Sequence, residues 1–207
     1  MSADTTSPSA TPAARWLWPA VAAVMLAAAL GLAALWWLGR PPADADPAVT
    51  FARDMIAHHT QAVQLALIVR DRSQDPDIRQ MALDVILTQQ AQIGQMQGWL
   101  AVWGVPFAGR EPPMSTHTGH GADMLPTMGM ASAADVEALR TLPIPEAEIK
   151  VLQLMIPHHQ GGVTMAEAAL EQTTRPEVVQ LADSIVVSQA KEIAAMQAML
   201  QARGATP

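Results

Sequence analysis

Apolar residues recur with a helical period along most of this chain. In residues 48–71, Met55, Ala62, Leu65, Ala66 and Val69 keep close to the helical spacing of about 3.6 residues, which predicts one amphipathic helix. Ser73-Gln74-Asp75-Pro76 breaks the pattern. Asp75 is placed to cap, and Pro76 to open, a second helix to about Trp103, with Ile78, Met81, Leu83, Val85, Ile86, Ile93, Met96 and Leu100 on its packing side. Gly104-Val105-Pro106 ends it. Further on, a helix opens at Pro145 or Glu146 and reaches Gln172, Thr173-Thr174-Arg175-Pro176 makes a turn, and a last helix runs to about Arg203. Pro157 falls inside the third of these helices, where it removes an amide donor and predicts a kink. No stretch alternates as a strand would. Short turns within each pair predict antiparallel hairpins, and two hairpins packed together give an all-α four-helix bundle.

The second hairpin repeats the first at an offset of 100 residues. Met55-Ile56-Ala57-His58-His59 returns as Met155-Ile156-Pro157-His158-His159. The echo continues without insertion through Val63/Val163, Pro76/Pro176, Gln89/Gln189, Met96/Met196, Leu100/Leu200 and Gly104/Gly204. The chain therefore divides into a Ser/Thr/Ala/Pro-rich tail at 1–14, expected to be disordered, an apolar segment at 16–39 and a linker at 40–47. The first repeat spans 48–104, a connector 105–144 and the second repeat 145–204. The connector is punctuated by Gly and Pro, and Ser132 with Asp135 predicts the N-cap of a short helix inside it.

From Trp16 to Gly39 no residue is charged, and Arg15 and Arg40 flank the run. About 20 apolar residues cross the hydrocarbon of a bilayer, and Trp16, Trp18, Trp36 and Trp37 mark the two ends as interfacial residues do. A transmembrane helix is expected. Ala43-Asp44-Ala45 fits an A-x-A cleavage site, so the domain would be secreted if cut after Ala45. The apolar run is longer than the roughly 7–15 residues of a signal core, which favours a retained single-pass anchor. Either way the domain is expected outside the cytoplasm.

Charge and composition narrow the partners. A net charge of −7 excludes a general nucleic-acid binder, and two Lys with no basic block give little support to an electrostatic lipid-surface role. The absence of Cys removes disulfides and thiolate ligands together.

Of six histidines, four sit in the repeated pairs. The others, His117 and His120, lie in the connector among Met114, Met124, Met128 and Met130. On a helix Met155 and His158 share a face, and Met165 lies about 80° round the axis from Met155, on the His158 side. Thioether with imidazole and no thiolate suits a soft cation, above all Cu(I), whereas zinc more usually recruits Cys or carboxylate beside His. Consecutive histidines are about 100° apart, so one of each pair ligates while the other caps, hydrogen-bonds or joins a separate site. Methionines within helices more often fill a core, the ordinary role of Met81, Met96, Met196 and Met199. Met96 and Met196 are nonetheless carried as candidate ligands. Gln89 and Gln189 are expected to hydrogen-bond within the bundle, and Glu167 and Glu192 to be solvated. A di-iron carboxylate bundle needs Glu-x-x-His, and this chain has Met-x-x-His instead. With no Walker loop, haem motif or nucleophile elbow, no enzyme is expected.

Through Leu154-Met155-Ile156-Pro157-His158-His159-Gln160-Gly161-Gly162-Val163-Thr164-Met165-Ala166 and Asp54-Met55-Ile56-Ala57-His58-His59, the chain resembles the bacterial domain-of-unknown-function family numbered 305. The resemblance covers roughly residues 47–204. It implies a ferritin-like four-helix bundle, often exported or anchored, with studied relatives that look like copper-binding proteins associated with metal resistance. The first repeat departs from the second, having Leu65 where the second has Met165 and Asp54 where it has Leu154. The second is therefore the better candidate site.

The leading expectation is a membrane-anchored, extracytoplasmic Cu(I) protein for buffering, sequestration or transfer. Met155, His158, His159 and Met165 form the main site and Met55, His58 and His59 stand opposite. Met114, His117, His120, Met124, Met128 and Met130 capture ions or cover the site. A homo-oligomer or a copper-handling partner is compatible with this reading. The alternative is a metal-free helical interaction module tethered at the membrane.

Overall fold

The structure, a computed structural model, describes residues 12–110 and 128–206. Met114, His117, His120 and Met124, with residues 1–11 of the expected tail, lie outside the described residues. Among the described residues there are six helices and no strand: α1 Pro12–Leu38, α2 Pro47–Arg72, α3 Pro76–Val102, α4 Ala133–Thr141, α5 Ile144–Gln172 and α6 Pro176–Ala202. The chain forms two compact units, Met1–Pro41 and Pro42–Pro207.

The first unit is α1. Its stretch Leu17–Trp36 has a mean hydropathy of 2.1 over 20 residues and is exposed throughout. By length and composition it is able to cross a membrane. The Arg40 guanidinium sits 3.7 Å from the centre of the Trp36 ring, a cation–π contact at the end of the helix.

In the second unit the helix starts follow local chemistry. Asp46 and Asp75 stand just outside α2 and α3, each followed by proline at the first helical position, where a missing N–H costs nothing. The Asp46 carboxylate accepts from Ala48 N–H at 2.9 Å, and that of Asp75 from Asp77 and Ile78 at 2.9 and 3.2 Å. Ser132 and Asp135 make the expected capping box at the start of α4. The third helix of the bundle begins at Ile144, slightly earlier than expected, and runs through Pro157 as one helix.

α2 pairs with α3, α5 pairs with α6, and the hairpins meet through α2 and α5. The core has two parts. One joins Ala48–Met55 of α2 with Met96 and Leu100 of α3, Met165–Ala169 of α5 and Val178–Ile185 of α6. The other joins Ala62–Val69 of α2 with Ile78–Val85 of α3, Val151–Ile156 of α5 and Met196 and Leu200 of α6. The start of α2 thus meets the end of α5, and the end of α2 meets the start of α5. The two helices are antiparallel, and the repeats face each other about an approximate two-fold axis.

Polar ties fix the ends. Ser73 donates to Glu148 at 2.6 Å in buried surroundings, and Arg203 pairs with Asp75 at 2.6 Å. Arg53 reaches the Pro106 carbonyl and pairs with Asp44 at 2.7 Å, joining linker, α2 and the start of the connector. α4 is held by Arg72, which donates to the Leu139 and Leu142 carbonyls, and by Lys150, 2.7 Å from Asp135.

Candidate metal centre

Between the two parts of the core lies a polar layer. His58, His59, His158 and His159 are all 0 % exposed, and Gln89 and Gln189 are 2 % exposed. Neighbouring residues on a helix point about 100° apart. The rings of His58 and His59 are accordingly separated by 6.2 Å, and those of His158 and His159 by 6.3 Å. The first histidine of each pair turns to the α2–α5 contact, where His58 and His158 stack with centroids 3.7 Å apart and planes tilted by 32°. The second turns to its own hairpin partner: His59 Nε2 lies 2.7 Å from Gln92 Oε1 on α3, and His159 Nε2 lies 2.7 Å from Glu192 Oε2 on α6. The doubled motif thus sends one histidine of each pair to the opposite repeat and the other to its own hairpin partner.

Burial keeps His58, His59 and His158 neutral. Desolvation pushes His58 down to about 4 against the opposing hydrogen bond to Met128, and His59 down to about 3. His158 is driven well below the ordinary histidine value by burial, then by the three neighbouring histidines. A neutral imidazole has one N–H and one lone pair. Carbonyl oxygens only accept, so His58 and His59 carry the proton on Nε2 and present the Nδ1 lone pair.

Those lone pairs have no protein partner. The Nδ1 atoms of His58, His59 and His159, both ring nitrogens of His158, and the amide atoms of Gln89 and Gln189 are buried without a hydrogen bond among the described residues. Each buried polar atom without a protein partner costs about 1–3 kcal/mol, so such a run within a folded core is unusual. The expectation that the two glutamines hydrogen-bond within the bundle is therefore corrected. Among the described residues no group of three or more His, Cys, Asp or Glu converges as a metal polyhedron. What is present is imidazole and thioether, a donor set that fits a soft monovalent cation and not a hard one.

The methionines lie on both sides of the layer. Met55, Met96, Met128 and Met165 belong to one part of the core, with Met130 packed against it. Met81, Met155 and Met196 belong to the other, with Met199 against it. The structure thus separates Met155 from Met165, which the periodicity of α5 had grouped. Because α2 and α5 are antiparallel, Met165 comes round to Met55 and Met96 of the first repeat, and Leu65 to Met155 and Met196 of the second. The extra sulfur of Met165 enriches the Met55 side. Asp54, which stands where the second repeat has Leu154, is buried at 4 % exposure.

Several contributors carried little signal. Glu192, expected to be solvated, holds His159 instead, and its side chain is 29 % exposed. The equal spacing from His59 to Gln92 and from His159 to Glu192 could have found it. A cleft of about 200 Å³ lined by Asp77, Asp84, Met81, Met196 and Met199 reaches Glu192 from the surface. Glycine shapes the other approaches. A Cβ on Gly162 would lie 2.4 Å from Gln189 Oε1, and one on Gly161 would lie 2.0 Å from the Met128 carbonyl oxygen.

Fold and layer together define a four-helix bundle of two antiparallel repeats around a buried histidine pair flanked by thioethers. Residues 48–200 match the family described as Domain of unknown function (DUF305). The chain belongs to this family. The crystal structure of a DUF305 protein from Streptomyces coelicolor is similar at 42% identity and a TM-score of 0.72, covering 80% of this chain and 98% of that one. A DUF305 fragment from Deinococcus radiodurans is 40% identical, with a TM-score of 0.68, covering 78% and 99%. CopM in its Cu(I)-bound form is 28% identical with a TM-score of 0.56, covering 73% of this chain and 94% of that one. CopM is also known in Cu(II)-bound and Ag-bound forms. An uncharacterised protein of Acanthamoeba polyphaga mimivirus is 37% identical over 50 residues, which span 33% of its length.

Proposed function

We propose that this protein is a membrane-tethered, extracytoplasmic binder of Cu(I) that buffers, sequesters or hands over the ion, and that it binds without catalysing. The observation that carries this reading is His158, which faces His58 at 3.7 Å with neither of its ring nitrogens partnered. Met55, Met96 and Met165 on one side and Met155 and Met196 on the other supply thioether donors beside it. The rings are neutral well below pH 7, so protons do not compete with a metal for the lone pairs. The likeness to CopM, whose structures hold copper and silver, supports the same donor chemistry. α1 supplies the tether.

The test is a competition titration of residues 42–207 with Cu(I) against a chromophoric chelator, with Zn(II) alongside. Stoichiometric Cu(I) binding, weakened more than tenfold in His58→Ala/His158→Ala, is the expected result. Binding at the chelator background, or unchanged in the double variant, removes the assignment.

A metal-free adaptor is the second reading. The hydrogen bonds that already hold His59 and His159 favour it, as do Leu87 and Val187, exposed at 61 % and 56 % on repeat-equivalent positions. On this reading the same titration shows no binding while the bundle stays folded.

A further inference from the structure

The connector segment Met128 to Ala131, just before α4, lies across both central helices, and its contacts are unlike those of an ordinary loop. The Met128 carbonyl lies 3.1 Å from His58 Nε2. Gln61 grips Ala131 at both polar backbone atoms, its amide donating to the Ala131 carbonyl at 2.9 Å and its oxygen accepting from Ala131 N–H at 2.7 Å. On the α5 side the backbone approaches too closely for any side chain. A Cβ on Gly129, whose φ is +68°, would sit 2.0 Å from the Pro157 carbonyl oxygen. A Cβ on Gly161 would sit 2.0 Å from the Met128 carbonyl oxygen. Positions 61 and 161 are repeat equivalents put to opposite uses, Gln61 clasping the segment and Gly161 making room for it.

We infer that Met128–Ala131 is a strap that closes the His58–His158 pair and fixes His58 as its Nε2–H tautomer, with Gly161 and Gln61 as its positioning residues. The Met128 oxygen can only accept, so while the strap is seated His58 Nε2 is a donor and Nδ1 is the nitrogen left for a ligand. A cation taken at Nδ1 leaves the strap in place; one taken at Nε2 must first displace Met128. The strap therefore selects the ligating atom, as the outer hydrogen bond of a metal-bound histidine does elsewhere. It also slows departure of the ion. That last consequence rests on the Cu(I) reading, whereas the tautomer and the closure do not.

The experiment uses residues 42–207, which carry both parts of the core, labelled with ¹⁵N and free of metal. Two-bond ¹H–¹⁵N spectra of the imidazoles at pH 7.5 should show His58 as the Nε2–H form. Gly161→Ala, which suits a helix interior better than glycine, should convert His58 to a tautomer mixture and speed Ala131 amide exchange at least tenfold. The His59 pattern, set by Gln92, should not move. Gln61→Ala removes the clasp without adding an atom and should act in the same direction, so a folding defect in one variant does not decide the matter. A wild-type His58 in the Nδ1–H form, or a pattern unchanged in both variants, overturns the proposal. Cu(I) transfer from loaded protein to a chelator should be at least tenfold faster in Gly161→Ala, and an unchanged rate from a variant whose strap is open overturns the closing role. If no Cu(I) binds while the His58 pattern responds as expected, the strap stands and the copper reading falls.

Discussion

Gln92 and Glu192 occupy the same position in the two repeats and make the same 2.7 Å contact with a histidine Nε2, yet one is neutral and the other is a carboxylate. The halves of the polar layer are matched in geometry and unmatched in charge. A carboxylate behind an imidazole raises its basicity and its value as a ligand, an effect on metal affinity of about 10–100-fold. Glu192→Gln should accordingly weaken Cu(I) binding about tenfold. Isothermal competition against a chelator reads this, and an unchanged affinity would assign His159 to scaffolding alone.

Met165 offers a substitution that the chain itself supplies. Its repeat equivalent is Leu65, buried at 0 % in the same kind of apolar packing. Met165→Leu should change unfolding free energy by less than about 1.5 kcal/mol, as volume-conserving swaps do. If the thioether is a ligand, Cu(I) affinity falls while stability holds. Loss of both together would mark Met165 as core packing.

Acid should destabilise the metal-free bundle early. Burial holds the folded-state pKa of His58 down at about 4 and that of His59 at about 3, below the ordinary histidine value of 6.5. The unfolded chain therefore binds more protons between these limits, so the stabilisation is complete above pH 6.5 and declines as pH falls toward 4. At about 1.4 kcal/mol per pH unit for one such ring, the loss should reach a few kcal/mol by pH 4.5. Urea midpoints from pH 7.5 to 4.5 measure this, and His58→Phe should flatten the curve. A pH-independent midpoint over that range would refute it.

Two glycine substitutions should differ in cost. Gly129→Ala places a Cβ in the left-handed region and 2.0 Å from the backbone of Pro157, neither of which a side-chain movement relieves. It should cost about 1–3 kcal/mol. Gly162→Ala meets only the end of the Gln189 side chain at 2.4 Å and gains the roughly 1 kcal/mol of helix preference that glycine lacks. Its net effect should lie near zero in the same urea experiment. Equal losses would show the Gln189 amide to be held as rigidly as the backbone.

Much of the fold is written locally. Asp46-Pro47 and Asp75-Pro76 carry their own start signals, and the 100-residue echo makes the second hairpin readable from the first. The site is only half legible. Helical geometry shows that His158 and His159 cannot face one point, but which of them faces α2 depends on how α5 docks. The same geometry grouped Met155 with Met165 because it sees one helix at a time, and antiparallel packing then distributed them to opposite sides of the layer. Gln61 and Gly161 stayed silent for a different reason: their partners are backbone atoms of the connector, which no side-chain pattern records.

The meeting of His58 with His158 also bears on how such a chain arises. Each repeat presents to the other the surface that the other presents to it, the reciprocity of an isologous homodimer in which residue i meets its own copy across the axis. A lone hairpin would hold half of every pair and would have to associate to complete the layer. Fusion in one chain removes the concentration dependence of that association and frees the copies to diverge. The differences between Gln92 and Glu192 and between Leu65 and Met165 are of a kind that a symmetric dimer, identical on both sides of its axis, could not hold.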